Sequence, residues 1–250
     1  MNVTQDKLTE QPVAITREFF WVGFIGKGTR LSCNPYLLLD EGGEAVFFDP
    51  GSIPDFPVVM RKVIEVIPPK HISTIVVSHQ DPDVCGNLAV VEDVIDREDL
   101  KIVGHSNTLR LMDHLGLKSG LYAIDAHDYR LQLTSGRILE FIHLPFLHAA
   151  GAIATFDRAS RTLLSGDLFA SLEGAASIFD NAKFPHSMDR FHQTYMPSNA
   201  ILQRGLKSLE PLDIDRILPQ HGGVIGGDQI AVAFKHLRQL PCGADLMKDD

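Results

Sequence analysis

Four times in this chain an apolar run that reads as a β-strand stops at a metal-capable side chain and gives way to glycine or other small residues. The first run is Ser73-Thr74-Ile75-Val76-Val77. Ser78 follows, then His79, Asp81 and Asp83 at every second position, with Gly86 relaxing the turn. The second is Leu144-Pro145-Phe146-Leu147-His148-Ala149-Ala150-Gly151, the third Leu163-Leu164-Ser165-Gly166-Asp167, and the fourth Ile217-Leu218-Pro219-Gln220-His221-Gly222-Gly223. Ligands at strand ends are held by their sheet, and glycine lets backbone come close to a site. Three histidines and three carboxylates in these runs suit two metal ions that share one bridging carboxylate.

Composition narrows the class. With 250 residues, 44% hydrophobic and 22% charged, the chain has the make-up of a soluble protein with a sizeable core. No apolar run approaches the ~20 residues that span a bilayer, and Met1-Asn2-Val3-Thr4-Gln5-Asp6-Lys7 is no secretory n-region. A cytoplasmic location without membrane attachment is the expectation. The net charge of −9 argues against nucleic acid, whose phosphates need a basic face. Cys33, Cys85 and Cys242 are too few and too scattered for a disulfide framework or a zinc ribbon and read as buried or unused thiols, with Cys85 set apart by lying two residues past Asp83.

Periodicity predicts strands at 19–24 and 36–39, the latter in a hairpin with 45–49, and a helix from Pro54 to Ile67 that Pro68-Pro69 stops. A helix follows the first ligand loop over 87–96. A strand at 101–104 leads to a helix from Asn107 to Leu115, capped by Ser106 and ended by Gly116. Hairpins are expected over 129–144 and 152–164, one long helix over 189–209, a strand at 214–218 and a last helix over 228–240. No linker divides the chain, so 1–250 reads as a single domain with 1–15 as a loose N-terminal segment. Two sheets packed face to face with helices outside would fit this order.

Taken singly, each motif has an ordinary structural explanation. His105 and His143 read as hydrogen-bonded core or surface residues, and Ser165-Gly166-Asp167 alone reads as an Asx turn. In this order, however, the motifs resemble the metallo-β-lactamase superfamily from about residue 19 to 238. Within it the site is most similar to the diiron domain of flavodiiron proteins and to stand-alone oxygen-binding diiron proteins. The hydrolases of the superfamily carry H-x-H-x-D-H in the first loop. Here Asp81 stands at the second histidine, matching in kind the carboxylate of the flavodiiron H-x-E-x-D-H, and Val84 replaces the final histidine. Leu164-Ser165-Gly166-Asp167-Leu168-Phe169 resembles the bridging-aspartate motif and Leu218-Pro219-Gln220-His221-Gly222 the last histidine motif. Phe191-His192-Gln193-Thr194-Tyr195-Met196-Pro197 falls where these domains start an aromatic, Met-Pro-containing helix.

The resemblance implies an α+β, four-layer αββα sandwich, the metallo-β-lactamase fold. It implies a first metal on His79, Asp81, His148 and the bridging Asp167, and a second on Asp83, Asp167 and His221. Two Fe are the expected cofactor, with Zn or Mn as alternatives, since imidazole and carboxylate without thiolate suit iron or manganese. The implied function is a non-haem diiron protein that binds, senses or reduces O2 or another diatomic such as NO at an open iron position, with electrons from an external donor. Val84 is expected to line a small dry pocket there, Tyr195 to donate a hydrogen bond to the bound diatomic, and His192 and Cys85 to be pocket candidates. No flavodoxin-like domain, hence no flavin, is expected in this chain. With no neighbour's flavin to approach the site, a homodimer is only one of the open oligomeric states. The alternative is a binuclear zinc hydrolase acting on a phosphodiester, thioester or lactone through metal-bound hydroxide.

Overall fold

The computed structural model describes residues 11–24, 31–172, 177–179 and 183–247. Two sheets form the middle of the molecule. The first has seven strands in the order β1 to β7: β1 (Val13–Ala14), β2 (Phe19–Trp21), β3 (Tyr36–Leu39), β4 (Ala45–Phe48), β5 (Ile72–Val76), β6 (Lys101–Gly104) and β7 (Gly120–Ala123). The second runs β13 (Ile225–Gly226), β12 (Arg216–Pro219), β11 (Thr162–Gly166), β10 (Ile153–Asp157), β9 (Ile138–His143) and β8 (Arg130–Gln132). The helices are α1 (Phe56–Val66), α2 (Pro82–Cys85), α3 (Leu88–Ile95), α4 (Ser106–Met112), α5 (Asp189–Tyr195), α6 (Asn199–Leu209) and α7 (Gln229–Leu237).

Strand side chains alternate faces, and here both faces are buried. Leu38, Val46, Phe48, Val76 and Val103 turn inward to meet Leu139, Phe141, Ile153, Leu164 and Leu218 of the second sheet. Their neighbours Leu37, Phe47, Ile75 and Ile102 turn outward under Val59, Val63, Leu88, Val91 and Leu109 of α1, α3 and α4. On the other side Phe156, Leu163 and Ile217 meet Phe191, Leu202, Leu206 and Phe234 of α5 to α7. This is the expected αββα sandwich. Truncating an inner aromatic such as Phe48, 2% exposed, would cost about 3–5 kcal/mol.

Sheet direction explains where the ligands gather. β5 runs parallel to β4 and β6. β11 runs parallel to β12, while β10 is antiparallel to both β9 and β11. So β9, β11 and β12 all point the same way, and their C-terminal ends carry His148, Asp167 and His221 to one rim of the second sheet. The His79 loop leaves β5 at the facing rim. Ser78 O accepts from Ile153 N at 3.0 Å and closes the seam between the sheets.

Several expectations change. The long helix predicted over 189–209 is two helices, because Pro197 lacks an N–H and pushes Met196 to extended backbone (φ −82°, ψ 139°), after which Ser198 accepts from Ile201 N and starts α6 afresh. α4 is capped by His105, whose ring accepts from Asn107 N, while Ser106 bonds Asp125 instead. The strand at 19–24 stops at Trp21. Residues 1–10 of the expected loose segment lie outside the described residues, but Val13–Ala14 is a strand paired with β2. Among the described residues no helix is long and apolar enough to cross a membrane.

Candidate metal centre

All six sequence-predicted ligands converge. Asp167 sits at the middle, 4% exposed, and each of its oxygens faces a different group. Oδ2 lies 3.2 Å from His79 Nε2 and 3.0 Å from His148 Nε2. Asp81 Oδ2 joins this group at 3.2 Å from His148 Nε2 and 3.8 Å from His79 Nε2. Oδ1 faces His221 Nε2 at 3.3 Å, and Asp83 Oδ2 lies 3.5 Å from the same nitrogen. Asp167 reaches this place through Gly166, whose φ of +56° is left-handed and whose absent Cβ would stand 3.1 Å from Ser78 Cβ.

The imidazoles are aimed by what lies behind them. His221 Nδ1 donates to Ser32 O at 2.8 Å, which leaves Nε2 for the site. His79 Nδ1 pairs with Ser78 Oγ at 3.0 Å, and Ser78 N donates to buried Asp49 Oδ1 at 2.7 Å. Burial raises Asp49 to about 6, so its carboxylate is held there only against desolvation. Asp49, at the end of the hairpin strand predicted over 45–49, thus also supports His79.

The charged groups of the site balance one another. Burial would raise Asp167, but the charges and hydrogen bonds of His79, His148 and His221 hold it well below the usual carboxylate range. Hydrogen bonds to Asp167 and Asp81 push His148 up to about 10, and the Asp167 charge carries His79 to about 9 against its burial. Hydrogen bonding to His148 draws Asp81 down. Asp167 Oδ1 nevertheless finds no well-formed hydrogen bond. A buried carboxylate with an unsatisfied oxygen, between two sets of nitrogen and oxygen donors, fits a bridge between two divalent cations.

A cleft of about 430 Å³ opens over the centre, walled by Leu31, Pro54, Phe191 and Tyr195 beside the ligands. Tyr195 stands on this wall with its ring 5.8 Å from that of His148. The other candidates move away. Val84 is fully buried among Val59, Leu88 and Val91 in the outer core and does not line the cleft, because the first turn of α2 directs it under the sheet. Cys85 donates to Asp81 O at 3.4 Å from inside the same core. His192 Nδ1 donates to Met188 O at 2.8 Å and Nε2 accepts from Phe169 N at 3.1 Å, which fixes a neutral ring, and burial lowers it to about 4. It props up the turn after Asp167. Sequence reading missed Cys33, 3% exposed, with Sγ 3.5 Å from Asp83 Oδ2. No local motif marks it, since fifty residues separate it from Asp83.

A family model described as ODP family beta lactamase matches residues 31–222. The flavo-diiron protein FprA2 of Clostridium acetobutylicum is 24% identical over 242 residues, which cover 89% of this chain and 59% of that one. A structure of the chemotaxis sensor ODP from T. denticola in its apo state superposes with a TM-score of 0.77 at 27% identity, over 94% of this chain and 96% of that chain; a peroxy diiron species of the sensor gives 0.78. The rubredoxin oxygen:oxidoreductase of Desulfovibrio gigas shares the fold with a TM-score of 0.82 at 21% identity, over 92% of this chain and 61% of that one. The chain spans 55% and 59% of the length of the first two curated relatives it matches.

Proposed function

The chain belongs to the family described as ODP family beta lactamase, and on that premise we propose that it is a non-haem diiron protein that binds dioxygen, as a sensor or, with an external electron donor, as a reductase. The observation that carries the reading is Asp167, buried and presenting one oxygen to His79, Asp81 and His148 and the other to Asp83 and His221. Likeness to the sensor over 96% of its chain supports binding and sensing. When bound, two Fe(II) ions supply two electrons and an open coordination position to O2.

The chain's own residues define the rest. Asp167 would be the group shared by the two metals, and its low proton affinity keeps it ionised for both positions. Asp81 puts a carboxylate where the hydrolase motif has an imidazole, which makes the first position more oxygen-rich and favours iron over zinc. Asp83 and His221 would hold the second position, which has one imidazole where the first has two. Leu31, Pro54 and Phe191 reduce water at the cleft wall, and Tyr195, 46% exposed, is the hydrogen-bond donor assigned to the bound diatomic.

Anaerobic purification, metal counting and a visible spectrum before and after air test the reading. About two iron per chain and a new visible absorption with O2 support it. Two zinc, an unchanged spectrum and turnover of a chromogenic ester or phosphodiester would establish the hydrolase instead.

A further inference from the structure

Among the described residues, two features outside the six ligands carry metal-capable groups. His186, Asp189 and His236 lie together near the surface, but Asp189 already pairs with both imidazoles and nothing there points to a ligand. The other feature is Cys33.

Cys33, Asp83 and His221 each offer a ligand atom within 4.8 Å of the other two. Donors around a metal with a sulfur at about 2.3 Å and a nitrogen or oxygen at about 2.0 Å stand roughly 3 to 3.6 Å apart. The observed Sγ to Oδ2 distance is 3.5 Å, and Asp83 Oδ2 to His221 Nε2 is also 3.5 Å. The placement is built rather than incidental. Ser32 O accepts from His221 Nδ1, Asn34 N donates to Gln220 O at 2.8 Å, and Asn34 Nδ2 donates to Pro219 O and Gly222 O at 3.0 and 2.8 Å. Trp21 Nε1 fixes Asn34 in turn at 2.9 Å. Backbone on both sides of Cys33 is therefore tied to the strand end that carries His221. The unsatisfied Asp167 Oδ1, buried, faces the same group through His221.

We propose that Cys33 is a thiolate ligand of the second metal position, supplying the donor that the family's first-loop motif takes from the imidazole replaced by Val84. The proposal rests on the two-metal reading above. On metal binding the S–H bond would break, the S–metal bond would form, and the proton would leave to solvent water in the cleft; no electron moves. The two positions then differ in kind: the first has only nitrogen and oxygen, the second nitrogen, oxygen and sulfur.

Metal-free protein titrated anaerobically with Co(II) tests this. The wild type should take up about two cobalt per chain, with a near-ultraviolet thiolate-to-cobalt absorption that grows with only one of the two equivalents. Cys33→Ser should keep the visible ligand-field bands and lose that absorption, while Cys85→Ser and Cys242→Ser keep both. X-ray absorption of the zinc-loaded wild type needs no variant and should show a sulfur at about 2.3 Å. Two cobalt without a thiolate band, or a zinc shell of nitrogen and oxygen alone, overturns the Cys33 assignment and leaves the two-metal reading standing. Uptake of one cobalt or none overturns both.

Discussion

His79, Asp81 and His148 gather on the Oδ2 side of Asp167, and Asp83, His221 and Cys33 gather on the Oδ1 side. The first group has two imidazoles in edge contact, ring centres 5.1 Å apart, drawn from both sheets. The second has one imidazole, and its sulfur comes from the segment before β3 rather than from a strand end. What differs is how each donor is held. His79 is braced by the Asp49–Ser78 relay and His221 by the carbonyl of Ser32, so the first half-site depends on β4 and β5 and the second on the segment 31–35. One carboxylate joins two half-sites with separate supports, so they should fail separately unless the bridge is cut.

Cutting the bridge is the largest expected effect. Asp167→Ala should lose both metals together, from about two per chain to about none by elemental analysis. Retention of one metal at full affinity would show that Asp167 belongs to one half-site only. Next, His148→Ala should empty the Oδ2 side and His221→Ala the Oδ1 side, each leaving about one metal in a competitive chelator titration. If both variants emptied the same position, the division into half-sites would be wrong.

His192 sharpens the comparison because it lies near the centre yet belongs to neither half. Its folded value of about 4 lies below the ordinary 6.5, so the unfolded chain takes up the proton first as pH falls. Its contribution is complete above pH 6.5 and is lost progressively down to about pH 4, a difference of about 3 kcal/mol. Denaturant unfolding of wild type and His192→Gln across that window should show a greater loss of stability in the wild type, by this amount, relative to the slope both share from groups such as Asp49; equal slopes would mean the ring is not held neutral. The smallest effect is Ser78→Ala, which removes the partner of His79 Nδ1. It should weaken the first position by about 10–100-fold in a chelator titration and spare the second. Equal weakening of both would break the separation of supports.

The strand-end ligands were legible because each lies next to the apolar run that positions it, so a local pattern carried both the element and the donor. The αββα arrangement was legible through the resemblance carried by the ordered ligand motifs, while apolar runs such as Ala45–Phe48 only fitted two packed sheets. Cys33 was not legible, because its nearness to Asp83 arises only when Asn34 docks on the β12 end. Val84 was misplaced because a missing ligand in a motif says nothing about where the replacement side chain points. The break at Pro197 was readable from the proline itself, but the apolar periodicity on both sides masked it. β7 escaped notice because its exposed edge residues Gly120 and Leu121 lack a strand-like pattern.

The central claim is that Asp167 joins two irons into one oxygen-responsive unit. Anaerobic protein loaded with Fe(II) and titrated with O2, followed by visible absorption and iron Mössbauer spectroscopy, tests it most directly. The account predicts about two iron per chain, both changing together and saturating near one O2 per iron pair. Two irons that respond independently, or an iron-loaded protein indifferent to O2, would contradict it.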